Sequence, residues 1–445
     1  MLGILHQAVP RYTSYPTAPN FSSAVDDAVY RSWLAGLAED ATLSIYLHVP
    51  YCRDLCFYCG CNTKATHKQK PIERYPKLIA EEMAQIAHYA GRHKVRYLHW
   101  GGGTPSILGA DLLRFTAGEL ARHFDLAALV EHAIELDPRY LNPSLVRALR
   151  SIGVNRASLG VQDFNPRVQQ TVGRIQPFDV VKNAVVTLRE FGVVKINLDL
   201  MYGLPRQTVS NIQETVHLAH QLEPQRIAVF GYAHVPWFRA QQRLIDESEL
   251  PSAGERLAQA TAAHDALVQL GYQPIGLDHY ARSDDQIAAA ARAGRLRRNF
   301  QGYTVDDADA LIGLGASAIS RLPNGFAQNA SDVGGYSRAV AAAKLATVKG
   351  ISISVDDRIR GQIIERLMCD MAVDLEAIGD RFEIDVGSNF SDALAALGPL
   401  RDIGNLQIDG YRIRITDKGR PFARVVASAF DAYLKRNRTR HSPAI

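Results

Sequence analysis

No stretch of this chain approaches the ~18 consecutive apolar residues that a membrane-spanning helix requires. Residues 1–21 lack a basic start followed by a long apolar run, and prolines and tyrosines interrupt them, so no signal peptide is expected. Charge of one sign is not in excess either. Fifty Lys and Arg against 46 Asp and Glu leave a formal +4, evenly spread, which argues against a nucleic-acid footprint. That balance accommodates an anionic small substrate without arguing for one. Cysteine is scarce, and four of the five (Cys52, Cys56, Cys59, Cys61) fall within ten positions, with Cys369 far away in an apolar context. Such clustering excludes a spread disulfide framework and, in a cytoplasmic protein, points to metal binding. Internal repeats and low-complexity tracts are absent. What remains is a chain of 445 residues, 47% hydrophobic, expected to fold as a soluble, cytoplasmic main domain with a smaller partner domain.

From about residue 42 to residue 235, β-rich segments alternate with amphipathic helical ones. The expected strands are Leu43–His48, Val95–Trp100, Ala133–Leu136, Arg156–Gly160, Lys195–Met201 and Arg226–Gly231, with helices such as Tyr75–Tyr89 and Phe178–Phe191 between them. Another helix opens at Asn142-Pro143, an N-cap followed by a first-turn proline, and closes at Gly153. Six βα units imply a parallel α/β sheet, either an open partial barrel or a flat doubly wound sheet. Tyr46, His48, Gly101–Gly103, Glu135, Gln162 and Asp199 fall at or just beyond strand carboxyl ends, where both shapes build their sites. Beyond residue 300, Asp306–Ile319, Val340–Thr347 and Arg358–Ala372 read as helices. Leu406–Ile415 reads as a hairpin around Asp409-Gly410, and the whole suggests a winged-helix-like unit that packs or covers.

The cysteines follow directly on the first strand as Cys-x3-Cys-x2-Cys, with Cys61 two positions further. Three thiolates on one tight loop can each take one iron of a cubane and leave the fourth iron open to a small molecule. Structural zinc would want two separated ligand pairs, and no second pair occurs. Phe57 and Tyr58 would shield such a cluster or offer a face to an adenine ring, and would serve equally as packing. The Gly101–Gly103 run alone reads as a tight turn; beside the cysteine loop it lets backbone groups approach a ligand closely.

These residues resemble the radical S-adenosylmethionine (SAM) superfamily and, within it, the oxygen-independent coproporphyrinogen III oxidase family. The loop after Tyr46-x-His48-x-Pro50 carries the first likeness and Cys59-Gly60-Cys61 the second. Further matches run along nearly the whole chain: Arg11–Thr17, His99–Pro105, Gly160–Phe164, Tyr202–Pro205, Tyr232–His234, Asp278–Ala281, Arg298–Thr304 and Gly313–Gly315. Departures are local, Gly173 before Arg174 and Gly231 before Tyr232.

The resemblance implies an α/β fold, a partial (β/α)6 barrel of radical SAM type with a mainly helical, winged-helix-like C-terminal domain. It implies an arm over the active site (1–35), a catalytic domain (36–300) and a helical domain (301–445). It also implies a [4Fe–4S] cluster on Cys52, Cys56 and Cys59, a functional Cys61, and two SAM molecules. Tyr46, Gly102, Glu135 and Ile319 would hold the SAM that chelates the cluster; Tyr58, Gly103, Thr104, Gln162, Arg174, Asp199 and Ala233 would hold the second. The activity implied is decarboxylation of two propionates of coproporphyrinogen III to vinyl groups, giving protoporphyrinogen IX for haem synthesis. Implied too are a monomer, a flavodoxin- or ferredoxin-like electron donor, and neither a nucleic-acid nor a membrane partner. A radical SAM methyl or methylene transferase and a haem chaperone are the rival readings; the segments Arg11–Thr17 and Arg298–Thr304 and Cys61 favour the decarboxylase.

Overall fold

Residues 7–434 are described by a computed structural model. The expected parallel strands form, the first five each a little longer than the sequence suggests and the sixth as expected: β1 (Thr42–Val49), β2 (Lys94–Gly102), β3 (Glu131–Leu136), β4 (Arg156–Gln162), β5 (Lys195–Tyr202) and β6 (Arg226–Gly231). Each pairs in parallel with the next in chain order. That order has no reversal point. It is the winding of a barrel, where a doubly wound sheet would switch direction. Alternation along the strands explains the two faces: Leu43, Ile45, Leu47 and Val49 are buried in the main apolar core. Ser44, Tyr46 and His48 occupy the opposite row.

The sheet does not stop at six strands. β7 (Gln273–Ile275), β8 (His279–Ala281), β9 (Ala310–Leu314), β10 (Ile319–Leu322), β11 (Gly325–Asn329) and β12 (Thr347–Ser352) extend it to twelve. Their order is β12-β11-β10-β9-β1-β2-β3-β4-β5-β6-β8-β7. β9 lies parallel against β1 on the side away from β2, with Tyr46 in register with Gly313. The helix expected over Asp306–Ile319 is therefore wrong. Ala310–Leu314 is buried along its whole length, and a strand covered on both faces shows no alternation to tell it from a buried helix. Likewise the helix expected at Val340–Thr347 is Val333–Ala341, and Thr347 already opens β12. Residues 310–352 thus belong to the main sheet, so a boundary at residue 300 cuts through it.

The smaller unit starts with helix Val355–Asp370 and packs further helices against a three-stranded sheet built from Ala372–Asp374, Leu406–Asp409 and Arg412–Ile415. The hairpin forms, one position late: Asp409 pairs with Arg412, so the two turn residues are Gly410 and Tyr411, with Gly410 at φ +55°. Val9, Tyr12 and Tyr15 of the arm lie in this unit's own apolar core with Ile363, Leu367 and Phe422. Tyr12 Oη also donates to Asp431. No helix among the described residues is long and apolar enough to cross a membrane.

One buried carboxyl ties the added strands to the first barrel helix. Glu82, from helix Gln69–Ala90, accepts from Gly315 N (2.7 Å), Asn329 Nδ2 (2.6 Å) and Tyr336 Oη (2.7 Å). Burial raises its pKa from 4.5 to about 7. The folded protein therefore holds a proton there that the unfolded chain releases above 4.5. The stability contributed is complete below pH 4.5 and is lost as pH rises through 7. Glu82→Gln, which cannot ionise, is expected to flatten this part of the stability profile between pH 5 and 8 (pH limits roughly those of the shift), checked by urea unfolding at several pH values.

Candidate functional site

β1 ends at Val49 and the chain enters the cysteine loop at once. Tyr51 and Cys52 pair with Lys64 and Ala65, closing the loop at its base. Cys52 Sγ lies 3.2 Å from Thr63 Oγ1 and accepts from Thr104 Oγ1 at 3.5 Å. Cys56 Sγ accepts from Arg174 Nη1 at 3.4 Å. A hydrogen bond with Cys61 holds the Cys59 thiol down, to about 7. Cys56 is buried, Cys52 and Cys59 half-buried and Cys61 exposed. Donors aimed at sulfur favour thiolates, the form that binds iron, and at Cys52 they oppose burial, which pushes that thiol up. Among the described residues no three His, Cys, Asp or Glu side chains converge to hold one ion. Thiols spread around a loop suit a cubane, where each takes a separate iron, better than a tetrahedral zinc.

Beside the loop, Tyr46, Gly102 and Glu135 meet in one cluster. Glu135 Oε2 accepts from Gly102 N at 3.2 Å, and its Oε1 lies 3.1 Å from His99 Nε2. Tyr46 stacks on His99 at 5.9 Å between ring centres and hydrogen-bonds His48 Nδ1 at 3.0 Å. His48 Nε2 faces the Asn62 carbonyl at 2.9 Å, so Nε2 carries the proton and Nδ1 accepts from the tyrosine. Burial lowers the His48 pKa and keeps the ring neutral. Gly102 has φ +111°, and a Cβ there would sit 2.7 Å from the His48 ring. Ile319 begins β10, and its backbone carbonyl lies 2.6 Å from where a Cβ on Gly313, the partner of Tyr46, would be.

The residues expected for a second ligand divide into four places. Gln162 sits at a bulge with φ +69°, which turns its amide back toward Gly160 and the Arg174 guanidinium. Arg174 donates to Gly160 O (2.7 Å), Gln176 Oε1 (3.1 Å) and Asp137 Oδ2 (3.3 Å) as well as to Cys56. Asp199 accepts from Ser158 Oγ (2.7 Å) and Asn197 Nδ2 (2.8 Å), and burial raises its pKa. Gly103 and Thr104 lie against the base of the cysteine loop, with Gly103 N donating to Val49 O and Thr104 N to Tyr51 O, both at 2.8 Å. Tyr58 and Ala233 share a partner: Gln242 Nε2 donates to the Tyr58 carbonyl (2.9 Å) and the Ala233 carbonyl (3.2 Å).

Several site residues escaped the sequence reading. Gln242, Gln241, which donates to Cys59 O (2.6 Å), and Arg239, which donates to Gly60 O (2.9 Å), clasp the loop's backbone from one short segment. Nothing in their spacing marks them, since their partners lie some 180 positions away, 182 for Gln241. Asp137 was findable: it follows Glu135 at the two-residue period that returns a side chain to the same face.

The profile of the Radical SAM superfamily matches residues 46–219, and that of the HemN C-terminal domain matches 353–422, which begins where the large sheet ends. An oxygen-independent coproporphyrinogen III oxidase of Bradyrhizobium diazoefficiens is 44% identical over 440 residues, covering 99% of this chain and 98% of the relative. One from Paracoccus denitrificans is 42% identical over 97% and 96%. The solved structure of the radical SAM coproporphyrinogen III oxidase HemN from Escherichia coli superposes with a TM-score of 0.91 at 36% identity, covering 96% of this chain and all of that one. Three thiols at the end of the first strand, the strand-end cluster beside them, and a likeness spanning both units place this chain in the oxygen-independent coproporphyrinogen III oxidase family of the radical SAM superfamily.

Proposed function

We propose that this chain decarboxylates two propionate side chains of coproporphyrinogen III to vinyl groups without oxygen, giving protoporphyrinogen IX. The observation that carries the reading is the Cys52, Cys56, Cys59 loop at the carboxyl end of β1 in a chain 44% identical, end to end, to an oxidase of that name. A [4Fe–4S] cluster on those cysteines, with SAM, would supply a 5′-deoxyadenosyl radical able to take one hydrogen from a propionate β-carbon, and loss of carbon dioxide with transfer of one electron to an acceptor would leave the vinyl group. The protein's part is to hold, orient and exclude water and oxygen. Tyr46, Gly102, Glu135 and Ile319 hold the SAM at the cluster: the Glu135 carboxylate takes an ammonium or hydroxyl donor, and Gly102 admits the ligand against bare backbone. Tyr58, Gly103, Thr104, Gln162, Arg174, Asp199 and Ala233 hold a second SAM, and Cys61 acts in turnover without ligating iron. The arm through residue 35 covers the barrel mouth. A flavodoxin- or ferredoxin-like protein reduces the cluster, and the enzyme works as a cytoplasmic monomer, away from nucleic acid and membrane. Anaerobic reconstitution followed by product analysis with SAM and coproporphyrinogen III tests the reading; reduced, cluster-replete protein that forms no vinyl product sinks it.

The two SAM positions are expected to respond separately. Glu135→Ala should weaken SAM at the cluster and remove its effect on the reduced cluster's EPR spectrum. Asp199→Ala should leave that spectrum and lower SAM stoichiometry from two to one. Each lost charge-assisted hydrogen bond should cost about 1.5–3 kcal/mol, one to two orders of magnitude in affinity. Arg174→Ala is less clean, because Arg174 also donates to Cys56. Equilibrium dialysis with labelled SAM decides it, and one SAM per wild-type chain would defeat the division.

A further inference from the structure

A cavity of about 490 Å³ opens at the carboxyl ends of β5 and β6, between helix Ala253–Gln269, the N-terminal arm and the C-terminal unit. Its walls carry six cationic side chains against three carboxylates, beside apolar surface from Phe230, Leu257, Leu277 and Phe422. So much positive charge in one enclosed place works against folding unless something anionic visits it. Arg11 reaches across from the arm and donates to Gly231 O (3.1 Å), and Arg256 donates to Tyr232 O (2.7 Å). Burial lowers the pKa of both, and the Arg11 cation lowers that of Arg256 further. Burial also pulls Arg424 down to about 10, again with Arg11 adding repulsion. Arg298 lies 4.4 Å over the Tyr303 ring, and its buried Nε and Nη1 find no hydrogen-bond partner among the described residues. The carboxylate nearest to it, Asp278, is 3.9 Å from Nη1 and is already engaged by His279 at 2.7 Å.

The cavity's place matters as much as its charge. It includes Ala233, whose carbonyl shares Gln242 with Tyr58 of the cysteine loop, so it adjoins the chemistry. A larger cavity of about 930 Å³ shares Thr13 and Arg298 with it but includes Ser44, in the opening half of β1, and so opens toward the opposite end of the strands. Guanidinium groups, planar and permanently charged, match carboxylates in a way that lysines do not. An apolar wall with arginines around it is the complement of an apolar ring system with carboxylate arms.

Resting on the activity proposed above, we propose that Arg11, Arg256, Arg298 and Arg424 form a cradle for the propionate carboxylates of the tetrapyrrole that are not at the reacting position. The substrate site is then completed by the arm and the C-terminal unit, neither of which supplies a cluster ligand. The grip depends on how many carboxylates the ligand carries.

The test uses two oxidised, fluorescent porphyrins on cluster-loaded protein: coproporphyrin III, with four carboxylates, and protoporphyrin IX, with two. Wild-type protein is expected to bind the first more tightly. Arg11→Gln and Arg256→Gln should each weaken coproporphyrin binding about tenfold or more and shrink the preference between the porphyrins. Labelled SAM binding and the cluster's EPR spectrum should stay as in wild type, which separates a lost carboxylate partner from general damage. The proposal is overturned if the preference survives in both variants, or if they lose SAM while keeping the porphyrin. Wild-type protein that neither binds coproporphyrin III nor converts coproporphyrinogen III would defeat the underlying activity instead.

Discussion

Alanine in place of Cys52, Cys56 or Cys59 is expected to abolish the brown chromophore, the bound iron and sulfide, and all SAM cleavage, while Cys61→Ala retains iron and loses turnover. A cubane held by three thiolates has no ligand to spare, so removing any one releases the cluster and does not merely weaken it. The surroundings agree with the division. Thr63 and Thr104 reach Cys52, Arg174 reaches Cys56, and Gln241 fixes the carbonyl of Cys59. Cys61 is the exposed member of the four and hydrogen-bonds Cys59. Iron and sulfide assays with absorption spectra on the four variants check this. A Cys61→Ala protein without iron, or a Cys52→Ala protein with it, would show that the ligand set is wrong.

A single methyl group one strand away should also do measurable harm. In Gly103→Ala the new Cβ would stand 2.5 Å from the Tyr51 carbonyl and 2.4 Å from Thr63 Oγ1. The threonine can rotate, but the carbonyl cannot yield: it accepts from Thr104 N at 2.8 Å, and Tyr51 is paired with Lys64. The strain falls on the peptide that leads into Cys52. Overpacking of this kind costs about 1–3 kcal/mol, enough to lower cluster content and cut activity by roughly tenfold to a hundredfold. Gly60→Ala is the control, within the loop but with nothing inside 4 Å of the added carbon. Equal iron content in the two variants would rule out this account of Gly103.

Much of the site could be read from residue types and spacing because its parts obey local rules. Strand alternation puts Tyr46, His48 and Glu135 on inward rows, and the cysteines need only follow a strand end. The Asn142 cap with Pro143 behind it is written into five residues and forms as expected, Asn142 Oδ1 accepting from Leu145 N at 3.0 Å. What could not be read depends on distant chain. Ala310–Leu314 is a strand only because β1 and β10 pair with its two edges, and its five buried residues carry no period of their own. The Arg239, Gln241 and Gln242 clasp and the arginines around the 490 Å³ cavity have the same cause. Each acts on a segment that the sequence gives no reason to bring near.

The position of β1 inside the sheet sets an order on events in the cell. The strand that leads into the cysteine loop is held on one side by β2 and on the other by β9, where Thr42 bonds to Asp309, 267 positions further along. Contacts closed over such long stretches form late. While the ribosome is still short of β9, the strand that leads into the loop has one bare edge, although the loop's own base pairing with Lys64 and Ala65 is already within reach. The strand that carries the cysteine loop is thus completed only on a chain whose last sheet strands have docked.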